Sequence, residues 1–211
     1  MKISRGTKIT LLVVLLLVID QVIKILVKTH MTLGQSIHVF GDWFQIYFVE
    51  NNGMAFGMQF GATVGKLLLS LFRVALVVLI FLYIRKLLKR PSTPMGVLVG
   101  LSAILCGALG NIIDSLFYGL IFSESTVTQV AQLFPEGGGY APFLFGKVVD
   151  MLYFPIIDTD LPAWLGGKHV IFFRPIFNFA DSCITVAAFY LLIFHWRFFG
   201  KKHDAEPAPE K

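Results

Sequence analysis

Four apolar stretches, at about residues 9–27, 63–84, 95–122 and 175–199, each reach the roughly 20 residues that a helix needs to cross a bilayer. Backbone N–H and C=O groups in lipid must pair within their own segment, so each stretch is expected to be a helix and not a single strand. The composition agrees: 56% of the residues are hydrophobic, only 15% are charged, and 21 are Phe. That excludes a disordered chain, and two cysteines are too few for a disulfide-stapled secreted domain. The formal net charge of +5 comes from basic residues beside the apolar runs, which fits a membrane surface better than nucleic acid.

Those basic residues predict the orientation. Lys2, Arg5 and Lys8 precede the first stretch, Arg85, Lys86, Lys89 and Arg90 follow the second, and Arg197, Lys201 and Lys202 follow the fourth. With four crossings all three clusters fall on one side, the cytoplasmic one by the positive-inside rule. The start of the chain imitates a signal peptide, but Asp20 and Lys24 follow its apolar core and no small-x-small cleavage site does, so it reads as a retained helix. The expected fold is thus an all-α integral membrane protein with four transmembrane helices and both termini cytoplasmic. Residues 1–203 form one membrane-embedded domain, and 204–211 are expected to be a disordered tail. The outer connections would be 28–62 and 123–174. Alternation over Phe44-Gln-Ile-Tyr-Phe48, followed by Asn52-Gly53 as a hairpin turn, predicts a small β-rich subdomain on the outer surface. Gly137-Gly138-Gly139 predicts a flexible stretch in the second connection.

Ionisable groups inside such segments cost roughly 2.5–3.5 kcal/mol each on insertion scales, so they need a reason. Asp20, Asp114 and Asp181 qualify, and Asp150 lies in an apolar part of the second connection. Counting from the expected helix starts puts Asp20 roughly 16 Å and Asp114 roughly 28 Å along their helices, and Asp181 roughly 9 Å below the outer surface. Each has a structural reading. Asp20 and Lys24 are i,i+4 and can neutralise each other. Asp114 can bond Asn111 one turn earlier. Asp181 can complement the positive end of a helix begun by Pro175. Two of these acids could instead share a site. Two adjacent carboxyls cannot both ionise cheaply, so one keeps a proton while the other draws a proton from water. The residues alone leave open which two. No His-Glu-x-x-His or Gly-x-Ser-x-Gly is present, so no metal site and no cofactor is expected. Ser102 and His195 offer only a faint serine alternative, and Gly96-x-x-x-Gly100 reads as helix packing. Cys106 and Cys183 read as small apolar residues.

The motifs resemble the bacterial lipoprotein signal peptidases, signal peptidase II. They are Asp20-Gln-Val-Ile-Lys24, Asn51-Asn-Gly53-Met-Ala55-Phe56-Gly57, Gly107-Ala-Leu-Gly110-Asn111-Ile-Ile-Asp114, Val148-Val149-Asp150 and Phe177-Asn178-Phe-Ala180-Asp181. The resemblance implies an aspartyl endopeptidase whose dyad is Asp150 and Asp181, with Asp20, Lys24, Asn51, Gly53, Asn111, Asp114 and Asn178 in support. It implies a diacylglyceryl-modified prolipoprotein as substrate, cut before the lipidated cysteine, in the bacterial inner membrane with the site toward the outer leaflet. Membrane lipid is the expected surroundings, and no nucleic acid is expected. Two departures stand out. Ser115 occupies the place where the family pattern has Arg, so any contact of that Arg comes from elsewhere, with Arg174 and Lys147 as candidates, or is absent. The stretches from Asn111 to Asp150 and from Asp150 to Asp181 are long, which makes Asp158 and Asp160 rivals of Asp150. The competing reading is a non-catalytic lipid- or peptide-binding membrane protein or transporter component.

Overall fold

The computed structural model describes residues 3–52, 62–162, 164 and 166–200. The Asn52-Gly53 turn (at Gly53) and the 204–211 tail therefore lie outside the described residues. Four helices are long and apolar enough to cross a membrane. Helix α1 spans Arg5–His30, α2 spans Ala62–Leu88, and α3 spans Met95–Ile113. The third continues through a π-helical turn, Asp114–Tyr118, into a last short turn α4, Gly119–Ile121. Helix α5 spans Phe179–Gly200. Expected boundaries miss mainly where polar residues cap or extend a helix. Ser4 starts α1 early because its hydroxyl accepts the Thr7 N–H (3.0 Å). At the far end Lys28 stays helical, since a buried ion pair with Glu50 and a bond to Ser125 Oγ (2.9 Å) replace its water.

The fourth helix differs most from expectation. Pro175 does not begin it. Residues Ile176–Phe177 form a short strand, and Asn178 caps the helix. Its Oδ1 accepts the Asp181 N–H (2.9 Å), while Asp181 Oδ2 accepts the Asn178 N–H (3.3 Å). This reciprocal pair is a capping box built from Asn and Asp.

Packing follows side-chain size. Helix α3 presents Gly96, Gly100 and Gly107 to α5, where a Cβ would run into Tyr190 and His195, Leu191, and Ala180 with Ile184 respectively. Ile9, Ile84, Leu87, Val97, Leu98, Leu101, Leu105 and Leu191 join all four helices in one core. The outward faces are apolar too: Leu11, Val14, Leu15 and Val18 on α1 and Val186, Phe189, Leu192 and Ile193 on α5 are more than half exposed. Such surfaces suit lipid and not water. The protein is a multi-pass membrane protein.

The β-rich part gathers at one end of the helices. Strands β1 (Ser36–Phe40), β2 (Phe44–Asn51), β3 (Val148–Tyr153) and β6 (Ile176–Phe177) form an antiparallel sheet in the order β1-β2-β3-β6. The turn that joins β1 to β2 is at 41–43, with Gly41 at φ +51°. Strands β4 (Ile157–Asp160) and β5 (His169–Phe172) form a separate exposed hairpin. Along β3 the alternation of side chains decides the site. Val149 and Met151 enter a core with Val27, Phe48, Tyr118 and Phe122, which turns Asp150 to the other face. The glycines at 137–139 are not a loose stretch throughout: at Gly139 a Cβ would strike the backbone of Gly119 and Leu120.

Candidate active site

Two groups of acids meet where α1, α3, β3 and the start of α5 converge. The first is built around Lys24, which is fully buried. Its ammonium reaches Asp20 Oδ2 (3.0 Å), Asp114 Oδ2 (2.9 Å) and Asn111 Oδ1 (3.0 Å), so its three N–H donors have three acceptors. Each acid then reaches a different element. Asp20 Oδ1 accepts the Ala180 N–H (2.9 Å) in the first turn of α5. Asp114 Oδ2 accepts the Val149 N–H (3.3 Å) of β3. Gln21 donates to Asp20 Oδ2 (3.1 Å) and Asp114 Oδ1 (3.2 Å) and accepts from the Tyr118 hydroxyl (3.2 Å). Close approach is possible because Gly110 leaves room: a Cβ there would meet the Asp20 carboxylate.

This corrects two expectations. Asp20 and Lys24 do pair, but Asp114 shares the same ammonium, although the depth arithmetic had separated the two acids by roughly 12 Å. Helix α1 starts at Arg5, four residues before the apolar run, which recovers about half of that gap. Nor does Asp114 turn to Asn111. The Asn111 side chain is committed elsewhere, with Oδ1 accepting from Lys24 and Asn178 Nδ2 (3.0 Å) and Nδ2 donating to Asp181 Oδ1 (2.7 Å).

The second group is Asp150 and Asp181. Asn178 donates from Nδ2 to Asp150 Oδ1 (2.7 Å), and Asn51 Nδ2 donates to Asp150 Oδ2 (3.2 Å). Asp181 receives Asn111 Nδ2 and the Asn178 N–H. The two acids are thus joined through the amides of Asn111 and Asn178, and Lys24 sets which way the first of these amides points. No cation forms an ion pair with either carboxylate among the described residues. Burial, then the neighbouring Asp181 charge, pushes the Asp150 carboxyl up to about 7. Asp150 is buried, whereas Asp181 is partly open and lines a cavity of about 480 Å³. The rest of that cavity is apolar or small: Leu152, Phe154, Phe173, Pro175, Phe177, Ser182, Thr185 and Val186.

The remaining sequence candidates are placed as follows. Asp158 and Asp160 sit exposed on β4 and both bond His169 (3.0 and 2.9 Å), away from this pair. Ser102 is buried in α3, and His195 bonds Tyr190 at the opposite end of α5. Gly53 is outside the described residues. No group of three or more metal-ligating side chains occurs among the described residues. Sequence reasoning passed over Gln21, Tyr118 and Arg73. Gln21 was visible as a polar residue beside Asp20. Arg73, a guanidinium within an apolar helix, was the plainest signal missed: its Nη1 lies 3.5 Å from Ser115 Oγ.

Comparison with known proteins gives the same frame. The chain is 52% identical over 195 residues to a lipoprotein signal peptidase of Porphyromonas gingivalis, covering 91% of this chain and 84% of that one. It is 40% identical over 175 residues to one of Amoebophilus asiaticus (81% and 70% covered) and 31% identical over 193 residues to one of Chlorobaculum parvum (91% and 97%). Its fold is similar to a bacterial membrane enzyme solved by the in meso method at 2.3 Å, with a TM-score of 0.59, 22% identity, and 97% and 94% of the chains covered. The family described as Signal peptidase (SPase) II matches residues 12–197, nearly the whole membrane-embedded part, and the chain belongs to that family.

Proposed function

We propose that Asp150 and Asp181 are the catalytic dyad of this signal peptidase and that it removes the signal peptide from diacylglyceryl-modified prolipoproteins, cutting before the lipidated cysteine. The observation that carries this reading is the contrast in partners: these two acids take amide donors and, among the described residues, pair with no cation, and Asp150 holds its proton up to about 7. In this mechanism Asp181, open to the cavity, takes a proton from water as that water attacks the scissile carbonyl. Asp150 donates its proton to the carbonyl oxygen as the tetrahedral intermediate forms. The proton held by Asp181 then goes to the leaving amine, and Asp150 regains one from the collapsing intermediate. Asn178 and Asn111 keep the carboxyls in register throughout.

The surroundings suit a lipid-bearing peptide. The apolar cavity beside Asp181 takes aliphatic chain, and the lipid-facing helices let a substrate enter sideways from the bilayer. With the basic clusters inside, both termini are cytoplasmic, the β-rich part lies on the outer surface of the inner membrane, and the dyad works near the outer leaflet. Residues 1–203 act as one peptidase unit.

The test is cleavage of a purified, diacylglyceryl-modified precursor, with its unlipidated form and the Asp181→Asn variant alongside. Cleavage of the lipidated form alone, lost in the variant, is expected. Cleavage of both forms would overturn the substrate assignment, and an active Asp181→Asn would overturn the dyad.

A further inference from the structure

Helix α2 contributes no residue to the site described above, yet it carries Arg73 in an otherwise apolar run. A guanidinium there is costly and calls for a partner. Among the described residues its one hydrogen bond is the 3.5 Å contact from Nη1 to Ser115 Oγ, and it forms no ion pair. Five N–H donors are therefore served by one long contact. Arg73 is half-buried, and the charges acting on it are, in order, Asp181, Asp150 and Asp114. Ser115 fixes its direction: the Ser115 hydroxyl donates to the Asn111 carbonyl (3.0 Å), which leaves its lone pairs to receive Arg73. The π-helical turn that begins at Asp114 sends Asp114 to Lys24 and Ser115 to α2.

Lys147 does not fill this place, and Arg174 is exposed and forms no ion pair among the described residues. Lys147 pairs with Glu50 and Glu124 in the β-rich end, and Arg174 lies in the segment before β6. We propose that Arg73 is a substrate-binding residue, whose guanidinium donates to the scissile carbonyl oxygen of the bound precursor and holds it more strongly as it gains charge. One chain of hydrogen bonds links it to the dyad: Arg73 to Ser115, Ser115 to the Asn111 carbonyl, and the Asn111 side-chain amide to Asp181. This inference rests on the dyad reading. A planar fork suits the task because it keeps directed N–H donors free after one is spent on Ser115.

The experiment compares wild type with Arg73→Met, Arg73→Lys, and Arg73→Met combined with Ser115→Arg, each in detergent and each checked for Tm. Arg73→Met is expected to lower kcat about 100-fold, the scale of one lost oxyanion donor, with KM moving far less. Ser115→Arg, which returns a guanidinium from α3, should recover at least about tenfold of that loss. Arg73→Lys keeps the charge without the fork and should lose about tenfold at unchanged Tm; it carries the test if methionine prevents folding. Full turnover in a folded Arg73→Met or in Arg73→Lys overturns the assignment, as does a loss that Ser115→Arg leaves untouched. Asp181→Asn separates the two ideas. If it is inactive while Arg73→Met is active, only the Arg73 assignment falls; if it is active, the dyad falls first.

Discussion

The Asp20–Lys24–Asp114 cluster and the Asp150–Asp181 pair are built from the same acid, lie within one hydrogen-bonded network, and are treated in opposite ways. Asp20 and Asp114 share an ammonium whose every donor is used. Asp150 and Asp181 are given amides instead. An ammonium that shares its donors between two carboxyl groups ties them together and makes them anchors. Amide donors hold a carboxyl in place while leaving its proton available for exchange. The two clusters are also wired in parallel: Asp20 holds the helix that bears Asp181, and Asp114 holds the strand that bears Asp150. In the proposed mechanism, position is supplied by one set of acids and reactivity by the other.

The sharpest way to break this contrast is to neutralise each set in turn. Asp181→Asn or Asp150→Asn should lower turnover by at least about 10³-fold in a precursor-cleavage assay, with the protein still folded. Lys24→Met should do the reverse, removing fold before chemistry. It strands two buried carboxylates, a change worth about 3–5 kcal/mol, and a large fall in Tm in detergent is the readout. If Lys24→Met leaves Tm intact, the cluster is not an anchor.

A pH series sharpens the comparison further. Asp150 holds its proton from about 4 to about 7, a range in which the unfolded chain has lost it. The folded state therefore binds the extra proton, and stability falls as pH rises through that window. Asp150→Asn cannot lose a proton and can keep the Asn178 bond, so its Tm should match wild type near pH 4. Its stability should exceed that of wild type by an amount that grows to roughly 4 kcal/mol above pH 7. Wild-type activity should decline on the alkaline side of about 7 as the same proton leaves. The smallest effect tests a remote part: Ser4→Ala, which removes the α1 cap, should cost about 1 kcal/mol of stability and leave kcat unchanged.

Much of this was legible in the sequence, for identifiable reasons. Helix number follows from run length, because a bilayer imposes it. The acids were conspicuous because charge is rare in such runs, and the Asp150 and Asp181 motifs carried the resemblance. What escaped was geometry between elements. Asn111-x-x-Asp114 and Asn178-x-x-Asp181 look alike as sequence, but the second starts a helix as a capping box while the first sits where α3 passes into a π-helical turn. Pro175 looked like a helix start until β6 claimed the residues after it. Arg73 was overlooked because its partner, Ser115, is 42 positions away.

The bond from the Ala180 N–H to Asp20 spans 160 positions, joining the first helix to the last. During synthesis the first helix enters the membrane long before residue 180 exists. Asp181 gains its cap from Asn178 and its donor from Asn111 only when α5 arrives. Until α5 is made, α1 therefore holds Asp20 without its partner at residue 180, and Asn111 holds its amide without Asp181.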